Sequence, residues 1–120
     1  MAKEQGRKVW FFPDGDLPLA GEVDPKGYES LVLLNPNTRD AIITLTVYYE
    51  TRTPDVIPAG VVGGQRVRCI RVDKPVGEYQ IPMGQYALKV ESSVGIIAQI
   101  GRMDIRQPNL AYYTTIGYGA

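Results

Sequence analysis

Residues 41–50, AIITLTVYYE, form the stretch of sequence that decides the fold class. They alternate between a set of apolar residues and a set that mixes apolar and polar side chains. The apolar set is Ile43, Leu45, Val47 and Tyr49, and the mixed set is Ile42, Thr44, Thr46 and Tyr48. Successive side chains of a β-strand point to opposite faces, so the pattern predicts a strand with one face against a core and the other partly exposed. Such strands are typical of a β-sandwich.

The composition of the 120 residues favours strands along the rest of the chain. There are 12 Val, 10 Ile and 7 Thr against 8 Ala and 8 Leu, and branching at Cβ favours the extended backbone over the helix. The 13 Gly and 9 Pro leave few uninterrupted windows for a long helix. Residues 1–120, which contain no repeat and no linker, are therefore predicted to form a single-domain, all-β antiparallel sandwich of about eight strands.

The other predicted strands lie between turn signals rich in Gly, Pro and Asn. They are Lys8–Phe12, Tyr28–Leu34, Val56–Val62, Gln65–Asp73, Gln85–Ser92, Gly95–Asp104 and Leu110–Tyr118.

Three connections and one strand carry specific expectations. The first strand is expected to stop at the turn signal Pro13-Asp14-Gly15-Asp16, with a loop following through residues 18–25. Because the segment 56–62 contains Pro58, it is expected to be short or to lie at a sheet edge. Tyr79–Gly84 is expected to be a loop or a short helical turn. A tight connection at Ser92-Ser93 is expected to join two separate strands.

Charge and residue usage exclude several classes of function. The 13 basic and 13 acidic residues give no net charge, which argues against a general nucleic-acid binder. The absence of histidine excludes His-dependent nucleophiles and His-ligated zinc. With Cys69 as the single cysteine, neither an intrachain disulfide nor a four-cysteine zinc site can form.

No residue pattern predicts an enzyme, a metal or a cofactor. The carboxylate pairs Glu22 with Asp24 and Glu50 with Asp55 are of the type used in glycoside hydrolysis, but nothing singles them out. The segment 14–16, DGD, lacks the spaced ligands of a calcium loop. The start of the chain has no apolar signal core, and the longest strongly apolar stretch has nine residues, so no membrane insertion and a cytoplasmic location are expected.

The segment 95–106 contains the strongest candidate for a binding site. Arg102, Asp104 and Arg106 share one face of an extended strand, whereas Gln99 joins that face only if Gly101 hosts a bulge. An aspartate between two guanidinium groups stays ionised, and the remaining arginine donors can bind a carboxylate, a phosphate or a sugar hydroxyl. The alternative is a cross-strand ion-pair ladder on a solvated face.

Two further groups have a functional and a structural interpretation. Trp10, the single tryptophan, is either a stacking platform for a sugar ring or a core residue. Arg66, Arg68 and Arg71 either bind phosphate or form a solvated face.

The last 14 residues, QPNLAYYTTIGYGA, carry no charged side chain and contain three tyrosines. Exposed apolar strands promote association, and tyrosine is favoured in interfaces. The segment therefore either pairs centrally in its own sheet or packs between subunits, and we expect a homo-oligomer.

Four segments together resemble the sensory rhodopsin transducer family over Gly6–Tyr118. They are VWFFPDGDLP, LLNPN, VYYE and AQIGRMDIRQPNLAYYTTIGYG. The most specific element is the R-x-D-x-R-Q pattern formed by Arg102, Asp104, Arg106 and Gln107. The resemblance implies a compact β-sandwich that assembles as a homotetramer. One branch of the family relays the signal of a membrane light receptor, and the wider family is proposed to sense sugars or related metabolites.

The resemblance also implies a set of polar residues that line or support a pocket, and we expect Trp10 to supply an apolar wall of it. They are Asp14, Asn35, Gln99, Arg102, Asp104, Arg106 and Gln107. The expected function is that of a non-enzymatic module that binds a small polar ligand, such as a sugar or a related metabolite, and signals through a protein partner. The alternative is a protein-interaction adaptor that transduces a receptor signal without a small ligand.

Overall fold

The computed structural model describes residues 3–17, 26–105 and 110–120, and the regular structure in these ranges consists of eight β-strands. The strands are β1 (Arg7–Leu17), β2 (Tyr28–Asn35), β3 (Ala41–Tyr48), β4 (Asp55–Val62), β5 (Arg66–Arg71), β6 (Gly84–Asp104), β7 (Ala111–Ile116) and β8 (Tyr118–Gly119).

The strands form two antiparallel sheets that share β6. The first sheet has the order β4-β3-β6-β1-β8, and the second has the order β5-β2-β6-β7. The first half of β6 pairs with β1 and β3, and its second half pairs with β2 and β7. A strand that changes sheets is a standard way to make the corner of a β-sandwich. The predicted all-β antiparallel fold is confirmed.

The prediction of two strands around Ser92-Ser93 is wrong, because β6 runs through this point without a turn. The Ser93 hydroxyl accepts a hydrogen bond from the Ile42 amide (2.9 Å), and the Ser92 hydroxyl accepts one from the Val94 amide (3.3 Å). A Cβ atom on Gly95 would lie 2.1 Å from the Gln5 carbonyl oxygen. The small polar residues and the glycine therefore serve the crossing between sheets rather than a chain reversal.

The predicted stop of the first strand at residues 13–16 is also wrong, because β1 continues to Leu17. Between the pairs Phe12–Leu88 and Gly15–Tyr86, β1 has one residue more than β6, which makes a β-bulge. A proline is tolerated at a bulge because the local ladder hydrogen bond is already interrupted. The loop predicted at residues 18–25 lies outside the described residues.

The other predicted elements agree with the structure to within a few residues. β4, which contains Pro58, pairs only with β3 in the described part of the chain and is an edge strand, as predicted. Residues 79–83 form a loop, as predicted. The single strand predicted at Leu110–Tyr118 is divided into β7 and β8. The number of strands still equals the predicted eight, because β6 replaces two predicted strands, whereas β7 and β8 replace one.

The core lies between the two sheets and has the alternation predicted for residues 41–50. Ile43, Leu45 and Val47 are buried, whereas Ile42 is exposed. Full burial of such a side chain contributes about 1.5–3 kcal/mol, so the inward residues fix the register of β3. Among the described residues, no helix is long and apolar enough to cross a membrane.

Candidate functional site

A cleft of about 550 Å³ opens between β1 of the first sheet and the C-terminal strands β7 and β8. Its volume lies in the range of small-molecule sites in proteins. Residues of β1, β6, β7 and β8 line it, among them Phe11, Asp14, Ile100, Arg102, Tyr113 and Tyr118.

The regular register of β6 determines which of its side chains face the cleft. Arg102 pairs with Glu29 of β2 on one side and with Tyr113 of β7 on the other, and no register shift occurs near Gly101. The bulge considered at Gly101 is therefore not formed. Because strand side chains alternate, Arg102 shares the inward face with Ile100, whereas Gln99 is exposed on the opposite face.

Arg102 is buried and donates three hydrogen bonds to other residues that the structure describes. Its Nε donates to Glu29 Oε2 (2.6 Å), its Nη2 donates to the Asp14 carbonyl oxygen (3.0 Å), and its Nη1 donates to the Tyr113 hydroxyl. Burial opposes the charge of the guanidinium, but the hydrogen bond and attraction of Glu29 outweigh this effect and raise the pKa of Arg102.

Glu29 is fully buried behind Arg102, at the base of the cleft. Its Oε1 accepts a hydrogen bond from the Tyr86 hydroxyl (2.8 Å), and its Oε2 accepts a longer one from the Asp16 amide (3.4 Å). Burial, followed by the nearby charge of Glu29, raises the pKa of Tyr86 well above its usual value. Tyr86 therefore stays a hydrogen-bond donor at physiological pH, and the position of Glu29 is fixed from three directions.

The bulge of β1 explains why Asp14 and Tyr86 both reach this network. It places the Asp14 carbonyl against Arg102, while the Asp14 carboxylate accepts a hydrogen bond from Gln85 Nε2 (3.1 Å). Gly15 leaves room for the Tyr86 ring, since a Cβ atom there would lie 2.4 Å from Tyr86 Cζ. The segment that resembled a turn is thus a wall of the cleft.

The structure brings some of the predicted site residues together and separates others. Arg102 and Asp14 line the cleft. Asp104, two residues beyond Arg102, pairs in register with Ala111 of β7. Arg106 and Gln107 lie outside the described residues.

Trp10 and Asn35 are buried away from the cleft. The Trp10 indole Nε1 donates to the Ile96 carbonyl (3.0 Å), which agrees with the core interpretation of this residue. Asn35 Nδ2 donates to the carbonyls of Arg39 (2.8 Å) and Val62 (3.1 Å). Asn35 lies six positions along β2 from Glu29, which corresponds to about 20 Å. Asn35 thus organises the connection after β2.

Sequence reasoning missed Glu29, Tyr86 and Tyr113, which hold Arg102 or its partner. The signal for Glu29 was present in β2, where it shares its face with the buried residues Leu31 and Leu33. A carboxylate on an apolar face requires a buried cationic or hydrogen-bonding partner.

The other polar candidates have structural contacts. Arg71 forms two hydrogen bonds of 2.7 Å with Asp73, and Arg68 donates to the Ala59 carbonyl. Asp55 Oδ2 accepts hydrogen bonds from Tyr79, from Tyr49 (3.0 Å) and from Arg52 (3.0 Å). These bonds, that of Tyr79 first, lower the pKa of Asp55. Among the described residues, no group of three or more acidic or Cys side chains is placed to hold a metal ion.

The outward surface of the second sheet, here called the outer face, is almost free of charge. Its exposed apolar residues include Val67 (66% exposed), Ile116 (62%) and Tyr112 (55%). Its charged side chain, Arg71, is paired with Asp73. The outward positions are Val67, Cys69 and Arg71 of β5, Tyr28, Ser30, Val32 and Leu34 of β2, Ile97, Gln99, Gly101 and Met103 of β6, and Tyr112, Thr114 and Ile116 of β7.

The shared strand β6 and the cleft beside Arg102 define the chain as an antiparallel β-sandwich with a ligand-sized opening between the edges of its two sheets. The family model described as "Anabaena sensory rhodopsin transducer" matches residues 5–119, and the chain belongs to this family. The resemblance stated from the sequence is confirmed.

Two solved structures have the same fold. The crystal structure of Thermotoga maritima 1070 superposes with a TM-score of 0.83 and 30% sequence identity, covering 96% of each chain. The Anabaena sensory rhodopsin transducer superposes with a TM-score of 0.74 and 28% identity, covering 89% of this chain and 96% of that one. No functionally curated protein sequence matches the chain.

Proposed function

We propose that this protein is a non-enzymatic signalling module that binds a small polar molecule in the cleft beside Arg102 and reports its presence to a protein partner. The observation that carries the proposal is a ligand-sized cleft with a buried, fixed arginine in its wall. A guanidinium has five N–H donors, and within the described part of the chain three of those of Arg102 serve Glu29, Asp14 and Tyr113. Donor capacity therefore remains for a bound ligand.

The remaining walls suit a molecule that has both apolar and polar faces. Phe11, Ile100 and Tyr118 supply aromatic and aliphatic surface, and the Tyr118 side chain is exposed. Pockets of this kind commonly combine apolar walls with a few fixed polar groups that orient the ligand. A sugar or a related metabolite, with hydroxyls at its rim and C–H groups on its ring faces, fits this description.

Strand β7 supports the signalling part of the proposal. Tyr113 faces the cleft and contacts Arg102, whereas Tyr112 and Thr114 face outward. A ligand that moves Tyr113 therefore acts on the strand that also presents part of the outer face. The transducer role stated in the family description and in the name of the Anabaena neighbour favours such a relay to a receptor-linked or downstream partner.

The uncharged outer face also favours a homo-oligomer, and the homotetramer implied by the resemblance is the assembly proposed. Large exposed apolar patches mark association sites. Sedimentation velocity of the full chain tests this, with Val67→Glu expected to lower the mass of the assembly. A wild-type monomer at micromolar concentration would contradict the assembly without affecting the cleft.

Ligand binding is tested by a thermal-shift screen of the full chain against sugars, sugar acids and nucleotides. A ligand at 100 times its Kd stabilises the native state by about 2.7 kcal/mol, which is well resolved. Thr115→Trp places an indole in the cleft and is expected to abolish the shift, whereas Thr114→Trp, on the outer face, is the matched control. Arg106→Ala is also expected to abolish binding, since Arg106 and Gln107 remain predicted ligand contacts.

The outer face supports a second candidate function, that of an adaptor without a small ligand. In that case no compound shifts the melting temperature, and a partner binds wild type and Thr115→Trp equally. Loss of partner binding in Tyr112→Glu, with an unchanged fold, would support the adaptor.

A further inference from the structure

We propose that Glu29 makes the cleft select uncharged, hydroxyl-bearing ligands over anions, although an arginine lies in its wall. The inference deepens the proposed function and rests on it. An arginine in a pocket ordinarily indicates an anionic ligand, because its fork of donors matches a carboxylate or phosphate. The surroundings of Arg102 reverse that expectation.

The first argument is the charge balance at the cleft. Among the described lining residues, Arg102 is the basic side chain and Asp14 is the acidic one. Glu29 lies directly behind Arg102, with its Oε2 2.6 Å from Arg102 Nε and the side chain fully buried. Among these described groups one positive charge therefore stands against two negative ones, so Arg102 by itself gives an entering anion no net attraction. Removal of its hydration shell would be uncompensated.

The second argument is the hydrogen-bond geometry of the guanidinium. Nε, Nη1 and Nη2 of Arg102 each already donate one hydrogen bond, to Glu29, Tyr113 and Asp14 respectively. Because Nε donates to Glu29, the edge of the guanidinium formed by Nε and its neighbouring Nη is closed to a side-on carboxylate. In this network of described residues one N–H remains on each Nη, and a single hydroxyl can accept from either without displacing these partners.

The third argument is that Glu29 cannot leave the site at little cost. The Tyr86 hydroxyl holds Oε1 (2.8 Å), and Arg102 together with the Asp16 amide holds Oε2. Its side chain has no contact with solvent that would allow it to rotate away and release Arg102 to an anion. The compensating charge is therefore a fixed part of the pocket.

The test compares ligands that differ at one carbon atom, where the acid has a carboxylate in place of the CH2OH group of the neutral compound. Glucose with glucuronate, galactose with galacturonate, and sorbitol with gluconate are titrated into wild-type protein by calorimetry at low salt, where charge effects are least screened. We expect the neutral member of a pair to bind at least tenfold more tightly than its acid. Glu29→Gln keeps the side-chain shape, removes the charge, and is expected to tighten binding of the acid at least tenfold.

Glu91→Gln is the matched control, because Glu91 pairs with Lys89 at 3.4 Å and is not among the described residues that line the cleft. Glu91→Gln should leave the ratio of the affinities for the neutral and the acidic ligand unchanged. An acid that binds wild type as tightly as its neutral partner overturns the inference and leaves the proposed function standing, as does an unchanged ratio in a folded Glu29→Gln protein. If Glu29→Gln does not fold, the wild-type ratio alone decides. Binding of no member of any pair overturns the inference, whereas the proposed small-molecule function is overturned only if the thermal-shift screen also finds no ligand.

Discussion

Replacement of Arg102 by Met leaves the carboxylate of Glu29 buried without its cationic partner, and the structure indicates how much stability is lost. The two side chains are 7% and 0% exposed, and Nε and Oε2 are 2.6 Å apart. Removing one partner of a buried ion pair typically lowers the free energy of unfolding by about 3–5 kcal/mol, because the other charge is left uncompensated. For a chain of this length the melting temperature is expected to fall by about 10–20 °C.

Urea denaturation followed by tryptophan fluorescence measures this effect directly. Trp10 is the single tryptophan and is buried, so its emission reports exposure of the core. The double variant Arg102→Met/Glu29→Leu removes both charges. Its free energy of unfolding is expected to lie within about 2 kcal/mol of the wild-type value, since well-packed apolar replacements of buried ion pairs often leave stability unchanged. The urea concentration at the midpoint should change between variants, while the dependence of the free energy of unfolding on urea concentration (the m-value) stays constant.

The exposed pair Arg39–Glu4, in which Arg39 is 74% exposed, supplies the control. Arg39→Met should cost less than about 1 kcal/mol, because solvent screens such pairs. A loss below 1 kcal/mol in Arg102→Met, or a double variant no more stable than that single variant, would refute the view that Glu29 and Arg102 stabilise each other in a desolvated site.

Three further predictions concern single residues. Burial and the charge of Glu29 raise the pKa of Tyr86, so the folded state keeps a proton that the unfolded state loses above about pH 10. The contribution of Tyr86 to the free energy of unfolding is therefore complete below that pH and falls by about 1.4 kcal/mol per pH unit above it. Urea denaturation of wild type between pH 9 and 11 should show this decrease in the free energy of unfolding. In Tyr86→Phe the decrease per pH unit should be smaller by the contribution of one proton. Gly15→Ala should cost about 1–3 kcal/mol in thermal melts, because its Cβ overlaps the Tyr86 ring. Asn35→Ala should cost about 1–3 kcal/mol by leaving buried carbonyls unpaired, yet leave ligand affinity unchanged; a loss of affinity at constant stability would return Asn35 to the binding site.

Patterns that depend on neighbouring residues were predictable from the sequence. The period-two alternation of residues 41–50 is set by the pleat itself, and β3 shows it with Ile43, Leu45 and Val47 buried. Pro58 restricts β4 to an edge because it has no amide hydrogen to donate. These inferences do not depend on which residues, distant in the sequence, the strand contacts in the folded protein.

The two wrong boundaries share a physical cause. Both Pro13-Asp14-Gly15-Asp16 and Ser92-Ser93 have residue types that reverse the chain in solvent, but each is paired with a distant strand. The Ser93 hydroxyl accepts from the Ile42 amide, 51 residues away, and Gly15 faces the Tyr86 ring. Whether such residues form a turn, a bulge or a sheet crossing depends on those partners, which local sequence does not specify.

The inward face of β2 carries two fully buried polar side chains, Glu29 and Asn35, and their chemistry explains why only one belongs to the cleft. An amide is neutral, so the carbonyls of a nearby connection satisfy Asn35. A carboxylate needs a cation or several donors when buried, and Arg102 is the buried cation among the described residues. Glu29 and Arg102 are 73 positions apart in the sequence, so rules based on residue spacing do not detect their pairing. What the sequence does contain is an acidic residue at an inward position of a strand, which requires a buried partner and so indicates where the polar site must form.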